Sequence, residues 1–415
     1  MTKICRGAQC APVQVDVLDD TQEGLKIVVN EGATVREEVA MTKVNKSLIK
    51  KRRKRMDIGL LVTIFILLSL GLIMVLSASA PSALTYEGDS YFYFKSQLVN
   101  ACIGIAAMFF FSIVDYRLYN VGRIPVISLC VALALLVLVL VPGVGVTING
   151  ATRWIKLGIM FQPSEIMKIA LIVFLASRLS KDPKNNKKFW RGIFPNLIVV
   201  GVVCLLLYKE PHYSAIGIIG IVSAIMIFIS GMRLMQIMVA APPILLVGIF
   251  YLLQDTYRVE RITSFLNPWS DLLDTGWQAV QSLYAVGSGG LFGVGLGNST
   301  QKYMYIPEPH NDFIFAIWSE EVGFIGAVAV IILFGIFIWR GITIAMKAPD
   351  MFGTLLAIGI TSLVAVQALL NIAIVSALFP VTGIPLPFFS YGGTALIILL
   401  SSCGVLLNIS RNSVK

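Results

Sequence analysis

Residues 58–80, IGLLVTIFILLSLGLIMVLSASA, contain no charged side chain. A helix rises about 1.5 Å per residue, so this run crosses a bilayer hydrocarbon core of about 30 Å. Water is absent there, so the run's backbone N–H and C=O groups must pair with one another, as they do in a helix. Further apolar runs follow it, and it is too long and too internal for a cleaved leader. Only 13% of the 415 residues are charged and 57% are hydrophobic, against about 25% charged in soluble domains. That balance excludes a soluble domain and predicts an all-α polytopic membrane protein.

Apolar runs of bilayer length fall near 57–80, 95–114, 124–142, 163–179, 192–208, 214–231, 236–253, 311–339, 353–377 and 394–410. Ten spans put both ends of the chain on one side. Basic residues gather on the side of KKRRKR, Lys50 to Arg55: Arg117, Arg123, the loop Arg178 to Arg191, Arg233, Arg340, Lys347, Arg411 and Lys415. The other side keeps chiefly Arg153, Lys156, Arg258, Arg261 and Lys302. The positive-inside rule then expects both termini in the cytoplasm and a large extracytoplasmic loop, 254–310, between helices seven and eight. The chain divides into a polar extension 1–56, a membrane domain 57–410 and a tail 411–415.

The net charge of +10 raises nucleic acid as a partner. Positive-inside placement already accounts for the basic hexamer, whose expected partners are anionic membrane lipids. Cys102, Cys130, Cys204 and Cys403 lie in apolar runs, where a free Cys acts as a small hydrophobe. Cys5 and Cys10 form a lone C-x4-C, and there are only two His, so no metal site is expected.

Charge in so apolar a chain is informative where it departs from the orientation rule. In FLNPWSDLLDTGWQ, Phe265 to Gln278, Asp271 and Asp274 sit in a turn-rich part of the long loop, open to capping or to catalysis. TINGATRWIKLGIMFQPSEIMK, Thr147 to Lys168, puts Arg153 and Lys156 on the disfavoured face, where they meet either a phosphate or lipid headgroups. Glu165 and Lys168 stand i,i+3 at the start of the fourth span, as an anion site or a self-neutralised pair. SGGLFGVGLGNS, Ser288 to Ser299, lacks the phosphate-loop pattern and reads as re-entrant backbone packed on the bundle. EPHNDF brings His310 and Asp312 to a helix entrance, where they order it rather than bind metal. FPVTGIPLPFFSYGGT, Phe379 to Thr394, includes Ser390 and cannot be a regular helix, so it packs on protein or lines a cavity.

These stretches also carry a resemblance. RITSFLNPWSD followed by GWQ, QSLYAVGSGGLFGVGLGNSTQKYMYIPEPHNDFIFAIWSEEVGFIG, VTGIPLPFFSYGG, and NGATRWIKLG with FQPSEIMKI look like motifs of the SEDS family (shape, elongation, division and sporulation). The resemblance covers about residues 57–410 and is closest to the FtsW and SpoVE branch. It implies ten transmembrane helices and a peptidoglycan glycosyltransferase working on lipid II, the lipid-diphosphate-linked disaccharide-peptide, at the outer face of the bacterial cytoplasmic membrane. It further implies a class B penicillin-binding transpeptidase and other divisome proteins as partners, with work at the division septum and with elongation or sporulation as the alternative roles. The essential acid falls on the Asp of N-P-x-x-D, here Asp271, and Asp274 falls where relatives often carry Gly. Arg153, Lys156, Glu165, Lys168, His310 and Ser390 complete the candidate site as substrate-binding residues. One motif departs: many relatives carry Q-P-D-L-G-T where this chain has Glu210, Pro211, His212, Tyr213 and Ser214, so that motif's acid is missing.

A single acid suits the implied chemistry. A sugar 4-hydroxyl attacks an anomeric carbon, and a base must take its proton. The leaving diphosphate departs unprotonated, so the second carboxylate of glycoside hydrolases is dispensable. What it needs is positive charge, from Arg153, Lys156 or Lys168. No cofactor is expected, with a divalent cation at the diphosphate as the open alternative. A lipid II flippase would need charge along a through-path, which the spans lack beyond their loop-adjacent ends. A non-catalytic scaffold would be indifferent to Asp271.

Overall fold

The computed structural model describes residues 3–6, 9–12, 56–148, 150–157, 159–183, 185–233, 235–236, 256–270 and 276–413. The chain forms two compact units, Met1–Arg53 and Lys54–Lys415. In the first, β1 (Lys3–Arg6) and β2 (Gln9–Pro12) pair as an antiparallel hairpin.

The second unit is a helical bundle. Its helices are α1 (Ile58–Glu87), α2 (Phe92–Ile113), α3 (Ile124–Val139), α4 (Pro163–Lys181), α5 (Phe194–Lys209), α6 (Tyr213–Ile229), α7 (Thr256–Leu266), α8 (Trp277–Ser288), α9 (Ile314–Met346), α10 (Met351–Val375) and α11 (Thr394–Asn412). Among the described residues six helices are long and apolar enough to cross a bilayer, and α3 and α6 are shorter apolar helices. The expected span 236–253 lies outside the described residues but for its first. α10 is the most enclosed, packing on α9, α4 and α6, while α11 lies along α2.

Polar side chains set the helix ends. Asp57 caps α1, accepting from Leu60 N at 2.9 Å, and pairs with Arg340 of α9 at 3.7 Å. Asp350 caps α10 through Gly353 N at 2.7 Å while holding the Tyr116 hydroxyl at 2.5 Å and Arg117 Nε at 3.2 Å. Each carboxylate therefore satisfies orphan N–H groups and ties two chain segments together.

The expectation of an all-α protein needs correcting. β3 (Gly145–Ile148), β4 (Ala151–Leu157) and β5 (Ile159–Phe161) form an antiparallel sheet between α3 and α4. Ile148 pairs with Ala151, and Gly150 before it takes a φ of 75°. The sequence Asn-Gly is a hairpin signal, and glycine adopts that φ without penalty.

Two irregular stretches complete the bundle. α9 breaks at Gly323, whose φ is 76°. There the Gly-rich loop closes on it: Val294 N and Gly295 N donate to the carbonyls of Glu320 and Glu321, both at 3.0 Å, and Phe324 N returns to Gly290 O at 2.9 Å. The stretch 376–393 has no regular ladder, yet side chains from five helices take its carbonyls or those beside it. Ser282 of α8 holds Val375 O, Arg261 of α7 holds Val381 O at 2.7 Å, and Ser214 of α6 holds Thr382 O. Asn371 of α10 holds Ile384 O at 2.7 Å and Gln97 of α2 holds Ser390 O at 3.1 Å. Irregular backbone survives in a membrane bundle only where protein supplies such partners.

Candidate active site

A cluster of charge forms where β4, the α5–α6 connection, α7 and the entrance to α9 meet the 376–393 stretch. Arg153 projects from β4, is partly buried, and donates to the carbonyl of Pro211. Its charge acts on Asp312, Tyr213 and Glu210 and is opposed by Arg261. Arg261 is fixed by its bond to Val381 O.

Burial shifts the acids and the histidines in opposite senses, as desolvation must. Glu210 has no exposed surface, and among the described residues neither carboxyl oxygen has a hydrogen-bond partner. Enclosure pushes its carboxyl up to about 8, with Arg153 pulling it down. Enclosure and Glu308 push Asp312 up to about 6, against Arg153 and Arg261. His212 is driven well below the usual imidazole range by enclosure and by the charges of Arg153 and Lys168, and its Nδ1 stands 3.5 Å from Gln162 Nε2. Enclosure lowers His310 to about 4. Its ring lies 4.5 Å from that of Tyr93 and 5.8 Å from that of Tyr391, and its Nδ1 has no partner among the described residues.

Glu165 and Lys168 close on each other at 2.7 Å, with Lys168 only 3% exposed. Beside them is a cavity of about 50 Å³ lined by Glu165, Gln367, Pro385, Ser390 and the apolar start of α11. Ser390 Oγ accepts from Leu386 N at 2.8 Å, so the hydroxyl holds a turn at the cavity wall. Glu165 and Ser390 are thus brought together, and the Lys168 charge reaches His212. Lys156 is not brought to Arg153: positions three apart on a strand face opposite ways, and Lys156 is exposed.

The family's sequence profile, described as cell cycle protein (FtsW/RodA/SpoVE), matches residues 58–415. The chain belongs to this family. Stage V sporulation protein E of Bacillus subtilis (strain 168) is 47% identical over 358 residues, 86% of this chain and 97% of that protein. A Trichlorobacter lovleyi protein named "Probable peptidoglycan glycosyltransferase FtsW" is 42% identical over 359 residues, 85% of this chain and 93% of its own. Among solved structures, a chain of "Structural coordination of polymerization and crosslinking by a peptidoglycan synthase complex" superposes with a TM-score of 0.72 at 28% identity, covering 86% of this chain and 98% of its own. The rod shape determining protein RodA of Thermus thermophilus gives 0.64 at 27% identity, covering 87% and 98%.

In this FtsW/RodA/SpoVE chain Asp271 and Asp274 lie outside the described residues. The turn leading to them is described: Asn267 follows α7, Pro268–Ser270 form a 3-10 turn, and the Trp269 ring lies 5.8 Å from that of Tyr284 on α8. Sequence reasoning left Glu210, Arg261 and Asp312 out of the site. Their signal was charge beside Pro or an irregular segment at a span end, but nothing in the chain order pairs them with Arg153.

Proposed function

We propose that this protein is a peptidoglycan glycosyltransferase that polymerises lipid II into glycan strands. The observation that carries the reading is the gathering of Arg153 and Arg261 around Asp312 and the 376–393 stretch, in a chain of the family whose relatives bear that enzyme name. Asp271, reached through the Trp269 turn at the end of α7, takes the proton from the acceptor 4-hydroxyl as oxygen bonds to the donor's anomeric carbon. The bond to the lipid diphosphate breaks in the same displacement, inverting the anomeric centre. Arg153 meets the charge that develops on the leaving diphosphate. Glu165 and Ser390 line the adjoining cavity, Lys168 pairs with Glu165 and the His310 carbonyl accepts from Tyr391 N beside Ser390, and these four hold the rest of the substrate.

The Lys and Arg distribution supports ten spans with both termini in the cytoplasm and the 254–310 loop outside. A class B penicillin-binding transpeptidase is the proposed partner, in line with the synthase complex that this fold resembles. The role is septal synthesis in division, with sporulation as the second reading, favoured by the 47% identity to a sporulation protein.

The test is polymerisation of labelled lipid II by purified protein with such a partner present. Asp271→Asn is expected to abolish product while leaving membrane insertion and partner binding intact, and Asp274→Ala to keep most activity. Product at the wild-type rate from Asp271→Asn would remove the base from the mechanism, and loss in both variants would replace the single base with a carboxylate pair.

A further inference from the structure

Glu210 is the residue that this mechanism leaves unused. It ends α5 with no exposed surface, and its two oxygens reach no donor among the described residues. An enclosed carboxylate without donors costs several kcal/mol, so the group is neutral unless a positive charge comes to it. The neighbouring charge is Arg153. Its guanidinium is tethered to the carbonyl of Pro211, the next residue in the chain, and its Nε is buried without a partner among the described residues. Two complementary groups, both incompletely bonded among the described residues, thus lie within reach of each other's charge. The other groups around them are His212 and Tyr213 at the start of α6, Lys168 of α4, Arg261 of α7, and Asp312 with Glu308 ahead of α9.

We propose that Glu210 is a positioning residue that competes with the substrate for Arg153: ionised, it draws the guanidinium to itself, and protonated, it releases Arg153 to an incoming diphosphate. This rests on the reading above that Arg153 meets the diphosphate. The carboxyl, pushed up to about 8, is mostly protonated at pH 7 and mostly ionised at pH 9. Asp312, near 6, and His310, near 4, titrate mostly below pH 7, and His212 lies well below the usual imidazole range. Linkage makes the effect reciprocal, since an anion bound to Arg153 raises the Glu210 carboxyl further.

The test uses the full-length protein and a diphosphate diester bearing one methyl on each phosphate, whose charge does not change over this range. Calorimetric affinity is expected to fall about tenfold from pH 7 to pH 9, which is the change in the protonated fraction of a group titrating near 8. In Glu210→Gln the affinity should be flat. A flat wild-type profile, or a parallel fall in Glu210→Gln, overturns the proposal. Infrared titration of the wild type needs no variant: a carboxyl C=O band should disappear between pH 7 and pH 9 and persist when the diester is saturating. No such band, or one indifferent to the diester, also overturns it. Absence of lipid II polymerisation at every pH would strike the function assigned above and leave these binding measurements readable.

Discussion

Among the described residues, two clusters of buried charge in this bundle are built in opposite ways. In one, Lys302 Nζ bonds to Glu321 Oε1 at 3.0 Å, to Ser77 Oγ at 3.3 Å and to Gly297 O, while Ser77 Oγ itself donates to Glu321 at 2.6 Å. Beside it Glu320 accepts from Thr300 N and Thr300 Oγ1, both at 2.9 Å, and from Ser299 Oγ. In the other, around Arg153, the oxygens of Glu210, Arg153 Nε, His310 Nδ1 and Thr382 Oγ1 have no partner among the described residues. Buried polar groups are ordinarily satisfied, so a satisfied cluster holds structure, and one with spare donors and acceptors among the described residues has hydrogen-bonding capacity left for other groups. The first clamps the Gly-rich loop onto the break in α9 and onto α1; the second faces the proposed reaction.

The comparison predicts where substitutions register. Lys302→Ala leaves Glu321 enclosed without its cation, and breaking a buried pair by removing one partner costs about 3–5 kcal/mol. The expected result is a large drop in the unfolding midpoint of purified protein, with activity lost along with the fold. Lys302→Met combined with Glu321→Gln removes both charges and should recover much of that midpoint. An unchanged midpoint in Lys302→Ala would mean the clamp carries no structural weight.

The two clusters also differ in how far they were legible in the sequence. The spans were legible because bilayer thickness fixes both the length and the charge-free character of a crossing helix, as in α1, α10 and α11. The β3–β5 sheet was not, because a short segment between two spans reads as a loop, although the Asn-Gly dipeptide at 149–150 is a hairpin signal. The Glu165–Lys168 pair was legible because i,i+3 contacts are local. Glu320 and Glu321 could not be matched to Ser77 and Lys302, nor Glu210 to Arg153, because tertiary packing brings those partners together from distant segments.

A smaller effect, on turnover rather than on folding, is expected at Arg153. Arg153→Ala should lower the rate of lipid II polymerisation at least about tenfold, the loss of about 1.4 kcal/mol of transition-state stabilisation. Arg153→Lys should restore only part, since it keeps the charge and loses the two-pronged geometry. The unfolding midpoint should stay near that of the wild type, in contrast to Lys302→Ala. Near wild-type turnover in Arg153→Ala would reduce this arginine to a headgroup contact and remove the functional half of the comparison.

The smallest effect should come from the same strand. Lys156 carries the same charge as Arg153 and lies on the same disfavoured side of the sequence, so charge and orientation alone assign both residues to the diphosphate. Strand geometry separates them: the β4 side chains alternate, Lys156 pairs across to Met160 of β5, and its side chain is exposed while Arg153 turns inward to Pro211. Exposed charges act on a site through screened, high-dielectric solvent, where a unit charge contributes little. Lys156→Ala is therefore expected to change the polymerisation rate by less than about twofold, the order of a few tenths of a kcal/mol. The residual effect should fade as salt is raised from low to physiological strength, whereas the Arg153→Ala deficit should persist. A tenfold loss in Lys156→Ala that is insensitive to salt would mean that both residues contact the diphosphate, and the division of β4 into a ligand face and a solvent face would have to be given up.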